Sequence, residues 1–135
     1  MARVLVIEDH ENLRTAIRQI LEDHSYIVAD AATGKAGVAL LRTFAADLAV
    51  VDTCTFDQDG SETIRVVRRK WPQVKLLAIS GWQSQPGSEA LAAAQDFGAH
   101  GVLTKPFGTQ EFLRAVETVL TGSMKDTRDG GLSAT

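Results

Sequence analysis

Four groups of residues in this 135-residue chain could do chemistry, and each follows a short apolar run. Glu8-Asp9 follows Val4-Leu5-Val6-Ile7, and Asp52 follows Leu48-Ala49-Val50-Val51. Ser80 follows Val74 to Ile79, and Lys105 follows Val102-Leu103-Thr104. Three ionised carboxylates in one crevice would repel one another, so they need a cation. Magnesium prefers oxygen ligands, keeps several waters, and is held by one or two carboxylates plus a phosphate. Glu8, Asp9 and Asp52 meet that requirement, and no His or Cys cluster offers a softer site. A carboxylate is also a nucleophile toward a phosphoryl group, forming an acyl phosphate. The remaining need is charge stabilisation of the equatorial oxygens, for which the Lys105 ammonium and Ser80 hydroxyl are suitable donors.

Each piece also has a plainer reading. Glu8-Asp9 could favour the positive end of the helix that follows. Ser80 opens a loop of turn residues, Gly81-Trp82-Gln83-Ser84-Gln85-Pro86-Gly87, and Lys105 could be a surface lysine at a strand exit. The weight lies in the set, because all four occupy the same end of their strands.

The positioning elements follow from periodicity. Val4 to Ile7 is apolar without alternation, as in a strand buried on both faces. From Glu11 to about His24, Leu13, Ile17, Ile20 and Leu21 recur at helical spacing. Tyr26-Ile27-Val28-Ala29 reads as a more exposed second strand, and Gly37, Leu40, Leu41 and Phe44 as a helix from about Lys35 to Phe44. Leu48 to Val51 is the third strand, which aims Asp52 at the sheet edge. After Gly60, the positions Ile64, Val67 and Trp71 mark a helix that Pro72 stops. Val74 to Ile79 is the fourth strand, and Ser88 caps an Ala-rich fourth helix through about Phe97 with Gly98 at its end. Val102-Leu103-Thr104 is the fifth strand, and Thr109 caps a last helix with the stripe Phe112, Leu113, Val116, Val119 and Leu120.

Five strands alternating with five helices predict an α/β fold, a doubly wound five-stranded parallel sheet with helices on both faces. In the order 2-1-3-4-5 the first and third strands meet at the switch point, where ligands bind at the carboxyl edge. That order groups Glu8, Asp9 and Asp52, with Ser80 and Lys105 on neighbouring strand ends.

Composition bounds the setting. The length suits one domain over residues 1–121, and residues 122–135 have little to bury and read as a disordered tail or linker. With 44% hydrophobic and 23% charged residues the chain is ordinary globular protein, and no apolar run is long enough to span a membrane. The N-terminus has no secretory-signal pattern, so a cytoplasmic location is expected. A net charge of −3 and a pI near 5.5 argue against a general nucleic-acid surface. The basic run Arg65, Arg68, Arg69 and Lys70 reads as the solvated face of a helix. A single cysteine, Cys54, excludes an internal disulfide.

The chain resembles the receiver domains of two-component response regulators over about Arg3 to Leu120. The matching residues are Glu8-Asp9, Asp52 with Gly60 eight positions later, Ser80-Gly81 and Lys105-Pro106-Phe107. The resemblance implies the flavodoxin-like (βα)5 receiver fold and transfer of a phosphoryl group onto Asp52, with Mg²⁺ as cofactor. The donor would be a histidine kinase, a phosphotransfer protein or a small phosphodonor. It further implies that Asp9, Asp52 and the backbone carbonyl of Cys54 ligate the metal, with Glu8 acting largely through water. Ser80 would move to bind the phosphoryl group, and the Lys105-Pro106 bond would be cis. The domain would be a signalling phosphoacceptor rather than an enzyme, assisting its own phosphorylation and dephosphorylation. Its output would pass to a downstream protein through the face of the fourth helix, fifth strand and fifth helix, without direct contact to nucleic acid or membrane.

Three departures from the family pattern bear on switching. Thr55 and Phe56 stand where a Met-Pro pair is usual, which leaves the loop after Asp52 less restrained. Val102 stands at the switch position three before the lysine, where an aromatic residue usually changes rotamer, and a valine cannot swing in that way. His100 and Gly101 replace acidic residues used in dimer contacts, so a monomer is expected. Trp82, two positions past Ser80, either narrows the crevice mouth or anchors a partner, or else packs against the fourth helix.

Other readings remain. A flavin-binding protein of the same topology would need a small-residue phosphate loop, where this chain has Glu8-Asp9-His10-Glu11. An aspartate-nucleophile phosphatase would carry a second Asp at the position of Cys54. A receiver-like interaction module could keep the fold without the chemistry; the expectation is a single-domain receiver, and the alternative is a piece of a larger regulator or hybrid kinase.

Overall fold

The computed structural model describes residues 1–53, 60–80 and 98–122. Five parallel strands form one sheet, β1 (Arg3–Ile7), β2 (Ile27–Ala31), β3 (Leu48–Asp52), β4 (Lys75–Ser80) and β5 (Gly101–Thr104), in the order β2-β1-β3-β4-β5. Among the described residues the helices are α1 (Glu11–Asp23), α2 (Gly34–Leu41), α3 (Gly60–Lys70) and α4 (Thr109–Thr121), which is the last helix that the sequence predicts. The helix expected over residues 88–97 and the tail beyond residue 122 lie outside the described residues. No helix among the described residues is long and apolar enough to cross a membrane.

The pleat of the central strands divides the core. Val4 and Val6 of β1 and Leu48 and Val50 of β3 face α1 and α4, where they meet Ile17, Leu21, Phe112 and Val116. Leu5, Ile7, Ala49 and Val51 face α2 and α3 and meet Leu41, Ile64 and Val67. All five residues of β3 are buried, which explains why its sequence shows no alternation. A Cβ on Gly37 would run into the Ile7 side chain, so glycine lets α2 approach β1 closely.

Boundaries shift where side chains beyond the periodic stripe take part. β2 begins at Ile27 and reaches Ala31, because Ile27 N donates to Ala2 O and Ile7 pairs with Ala31. α2 ends at Leu41 rather than Phe44, tightening as Thr43 N donates to Leu40 O. Phe44 instead takes the Arg3 guanidinium over its ring at 4.4 Å. Thr109 is not the cap of the last helix but its first residue; Gly108 occupies the cap position and makes no side-chain bond. α1 is capped by His10, whose Nδ1 accepts from Leu13 N at 3.4 Å. Its exit is a left-handed turn at Ser25, φ 71°, with Ser25 N donating to Glu22 O and Tyr26 N to Leu21 O.

Candidate functional site

Register brings the four chemical groups to one edge. Ile7 pairs with Val51, Asp52 with Ile79 and Ser80 with Thr104, so Glu8, Asp52, Ser80 and Lys105 leave adjacent strands at a common level. Thr53 N donates to Ile79 O at 2.9 Å and Lys105 N to Ser80 O at 2.9 Å, which ties the strand exits together.

Glu8, Asp9 and Asp52 each offer an oxygen within 4.8 Å of the others. Glu8 and Asp52 are 1% and 2% exposed, and a buried pair of like charges needs compensation. Lys105 provides part of it, with Nζ 3.1 Å from Asp52 Oδ2 and 3.4 Å from Glu8 Oε1. Burial drives the Glu8 carboxyl up to about 7, with Asp52 adding to the rise and Lys105 opposing it. Burial alone would lower the Lys105 ammonium, but Asp52 and Glu8 outweigh it and the net shift is upward.

Among the described residues, two buried polar atoms at this edge make no hydrogen bond: Glu8 Oε1, whose contact to Lys105 Nζ at 3.4 Å is an ion pair, and Ser80 Oγ. A buried oxygen without a hydrogen-bonded partner is costly, so both atoms are suited to a further ligand. The acidic trio, with its buried Glu8 oxygen, fits a hard divalent cation of the magnesium type, and Ser80 Oγ can donate to an anionic oxygen.

Backbone geometry supports the site. The Lys105-Pro106 peptide is cis, and Phe107 stacks on Phe112 with centroids 5.6 Å apart. A Cβ on Gly60 would fall on the Asp52 carbonyl oxygen and Thr53 Cα, so only glycine lets the start of α3 pass behind the strand end. Sequence reasoning placed Gly60 at the right distance from Asp52 without this packing reason.

Val102 sits on β5 opposite Ala78, half-buried against the α2/α3 side of the core. His100 is held to β4 by two bonds: its N donates to Leu76 O at 2.8 Å, and its Nδ1 accepts from Leu76 N at 3.0 Å. Cys54, Thr55, Phe56, Gly81 and Trp82 lie outside the described residues.

Three contributors escaped the sequence reading. Thr53 Oγ1 donates to Ile79 O at 3.2 Å. His10 N donates to Glu8 Oε2 at 3.0 Å, and Arg14 Nη1 donates to Glu8 O at 2.9 Å. Arg14 lies one helical turn past His10, on the turn of α1 next to the acidic pair, and that placement was the available signal.

Comparison with known proteins bears on the family and the fold. The family model described as "Response regulator receiver domain" matches residues 4–117. The chain is 33% identical over 124 residues to "Response regulator UvrY" of Escherichia coli (strain K12), covering 90% of this chain and 56% of UvrY. It therefore spans little more than half the length of that relative. It is 31% identical over 121 residues to "Protein CcdB" of Bacillus subtilis (strain 168), covering 89% of this chain and 98% of CcdB. Among solved structures, the CheY-like receiver domain protein of Methanospirillum hungatei JF-1 superposes with a TM-score of 0.83 at 24% identity, covering 93% of this chain and 98% of that one. Vibrio cholerae CheY4 superposes with a TM-score of 0.81 at 26% identity, covering 88% and 98%. By sequence over residues 4–117, and with the matching fold, the chain belongs to the response regulator receiver domain family.

Proposed function

We propose that the chain is a phosphoacceptor of a two-component phosphorelay, taking a phosphoryl group onto Asp52 with Mg²⁺ bound. The observation that carries this reading is Asp52 itself, buried at a strand exit between the acidic pair and the Lys105 ammonium. An Asp52 carboxylate oxygen attacks phosphorus, the bond to the donor's leaving group breaks, and the leaving group departs with the bonding electrons. Lys105 and Ser80 would face the transferred oxygens, and Asp9, Asp52 and the Cys54 carbonyl, with Glu8 acting largely through water, would hold the cation that offsets their charge. Hydrolysis of the acyl phosphate resets the domain, so its role is signalling and not turnover of a separate substrate.

On this reading residues 1–121 are the receiver domain and 122–135 a tail or linker. The donor is a histidine kinase or phosphotransfer protein, and a downstream protein reads the state at the face of the expected fourth helix, β5 and the last helix. His100, already engaged with Leu76, replaces an acidic dimer contact, which supports a monomer. A cytoplasmic location fits such a partner set.

A second reading, a phosphorylation-independent interaction module, is favoured by Val102, which lacks the rotamer change of an aromatic switch. Intact mass after incubation with acetyl phosphate, with and without Mg²⁺, separates the two. A magnesium-dependent gain of one phosphoryl group, absent in Asp52→Asn, is expected. No adduct, together with no binding of beryllium fluoride, would leave the interaction-module reading.

A further inference from the structure

The acidic pair does not hold its own geometry. Glu8 is pinned at three points: its N donates to Ala31 O at 3.0 Å, its Oε2 accepts from His10 N at 3.0 Å, and its carbonyl accepts from Arg14 Nη1 at 2.9 Å. The carbonyl bond is the informative one. The Glu8 carbonyl and the Asp9 N–H share one rigid peptide plane, so whatever fixes that carbonyl also fixes the direction in which Asp9 leaves the strand.

Arg14 is set in place by a second contact. Its Nε lies 3.7 Å from Asp30 Oδ2 on the edge strand β2, and Asp30 Oδ1 is held in turn by Arg18 Nη1 at 3.3 Å. Arg18 Nε also pairs with Glu22 at 3.0 Å, which anchors the chain of contacts to the exposed face of α1. The Arg14 side chain is only 20% exposed, so it is ordered by packing as well as by charge. A planar guanidinium can donate to the Glu8 carbonyl while its Nε side pairs with the Asp30 carboxylate, and a lysine ammonium on a flexible stem cannot match both.

We infer that Arg14 is a positioning residue for the divalent-cation site, orienting the Glu8-Asp9 peptide from α1, with Asp30 as the residue that orients Arg14. The inference rests on the reading of Glu8, Asp9 and Asp52 as that site. Arg14 touches neither the cation nor the phosphoryl group; it acts through the backbone that presents two of the three carboxylates. Outer-shell partners of this kind govern affinity because a ligand that must be reoriented on binding binds less tightly.

The test is a Mg²⁺ titration of the full chain followed by backbone amide NMR shifts, which reports binding without any phosphodonor. Arg14→Ala should raise the magnesium dissociation constant about tenfold, the low end for loss of an outer-shell partner. Arg14→Lys, which keeps a donor for the carbonyl but cannot also reach Asp30, should recover only part of that loss. Asp30→Asn should weaken binding by about threefold while the fold is retained, and it carries the test if Arg14→Ala folds poorly. Gln19→Ala is the control: it removes an exposed helix bond, Gln19 Nε2 to Asp23 Oδ1 at 2.8 Å, and should leave the magnesium constant unchanged. Wild-type affinity in both Arg14→Ala and Asp30→Asn would overturn the inference alone. A wild-type chain that binds no magnesium would overturn the reading of the site as well.

Discussion

Lys105 Nζ lies 3.1 Å from Asp52 Oδ2, joining the exit of β5 to the exit of β3 across a separation of 53 residues. The same ammonium reaches Glu8 at the exit of β1, so one cation bridges carboxylates from two other strands. Lys105 thereby partly balances the charge that a divalent metal would otherwise meet alone.

Removing that cation should destabilise the metal-free protein. Lys105→Met leaves two buried carboxylates facing each other and should cost about 2 kcal/mol, below the range for a fully buried pair because 20% of the lysine side chain is exposed. Urea unfolding without divalent cations measures the loss. Saturating magnesium should restore much of it, and equal losses with and without magnesium would refute the compensating role.

Glu8 should make the metal-free protein less stable as pH rises. Burial, then Asp52, lift its carboxyl from 4.5 to about 7. Between those values the folded chain keeps a proton that the unfolded chain has released, so stability is fully present below the lower value and is lost on approach to the upper one. For a group this buried the change is of the order of 3 kcal/mol. The fall in urea midpoint that this produces across that window in the native chain should be removed in Glu8→Gln, leaving the opposite slope of His100.

His100 should contribute the opposite slope. Burial, then Lys75 and Arg68, hold its imidazole below the ordinary value of 6.5, and Nδ1 must be unprotonated to accept from Leu76 N. The unfolded chain therefore takes up the proton first, and the stability present above 6.5 declines as pH falls through the window below it. Asn at this position keeps an acceptor for Leu76 and does not titrate. In a Glu8→Gln background, melting temperature should drop on acidification with His100 and much less with His100→Asn.

Ser25→Gly should stabilise the fold. Ser25 holds φ 71° at the exit of α1, a conformation that costs an L-residue about 1 kcal/mol and glycine almost nothing. A rise of several degrees in melting temperature is expected for a domain of this size. An unchanged or lower value would show that the freedom gained by the unfolded chain cancels the relief.

Most of the site was legible because each chemical group sits next to a local pattern. Asp52 follows an apolar run, Lys105 precedes Pro106, and Glu8-Asp9 lies between a strand and a helical stripe. Strand ends were less legible, since pairing partners settle them: β2 extends to Ala31 because Ile7 lies opposite it. The cap of the last helix was misjudged for a similar reason. Thr109 has the side chain of a cap, but the chain enters α4 with Gly108 in the cap position.

Periodicity and turn chemistry determined by themselves that the chain alternates strand and helix, and that its acidic, hydroxyl and ammonium groups share one sheet edge. Those are local properties, written in residues two to four apart. Only the tertiary structure decided that Lys105 bridges Asp52 and Glu8, that Gly60 must lack a Cβ beneath Asp52, and that Arg14 holds the Glu8 carbonyl. Each of these depends on where a side chain ends after the sheet has set its register and α1 has packed on it. A distance of about 3 Å between groups on separate elements is fixed by that packing and by no local pattern.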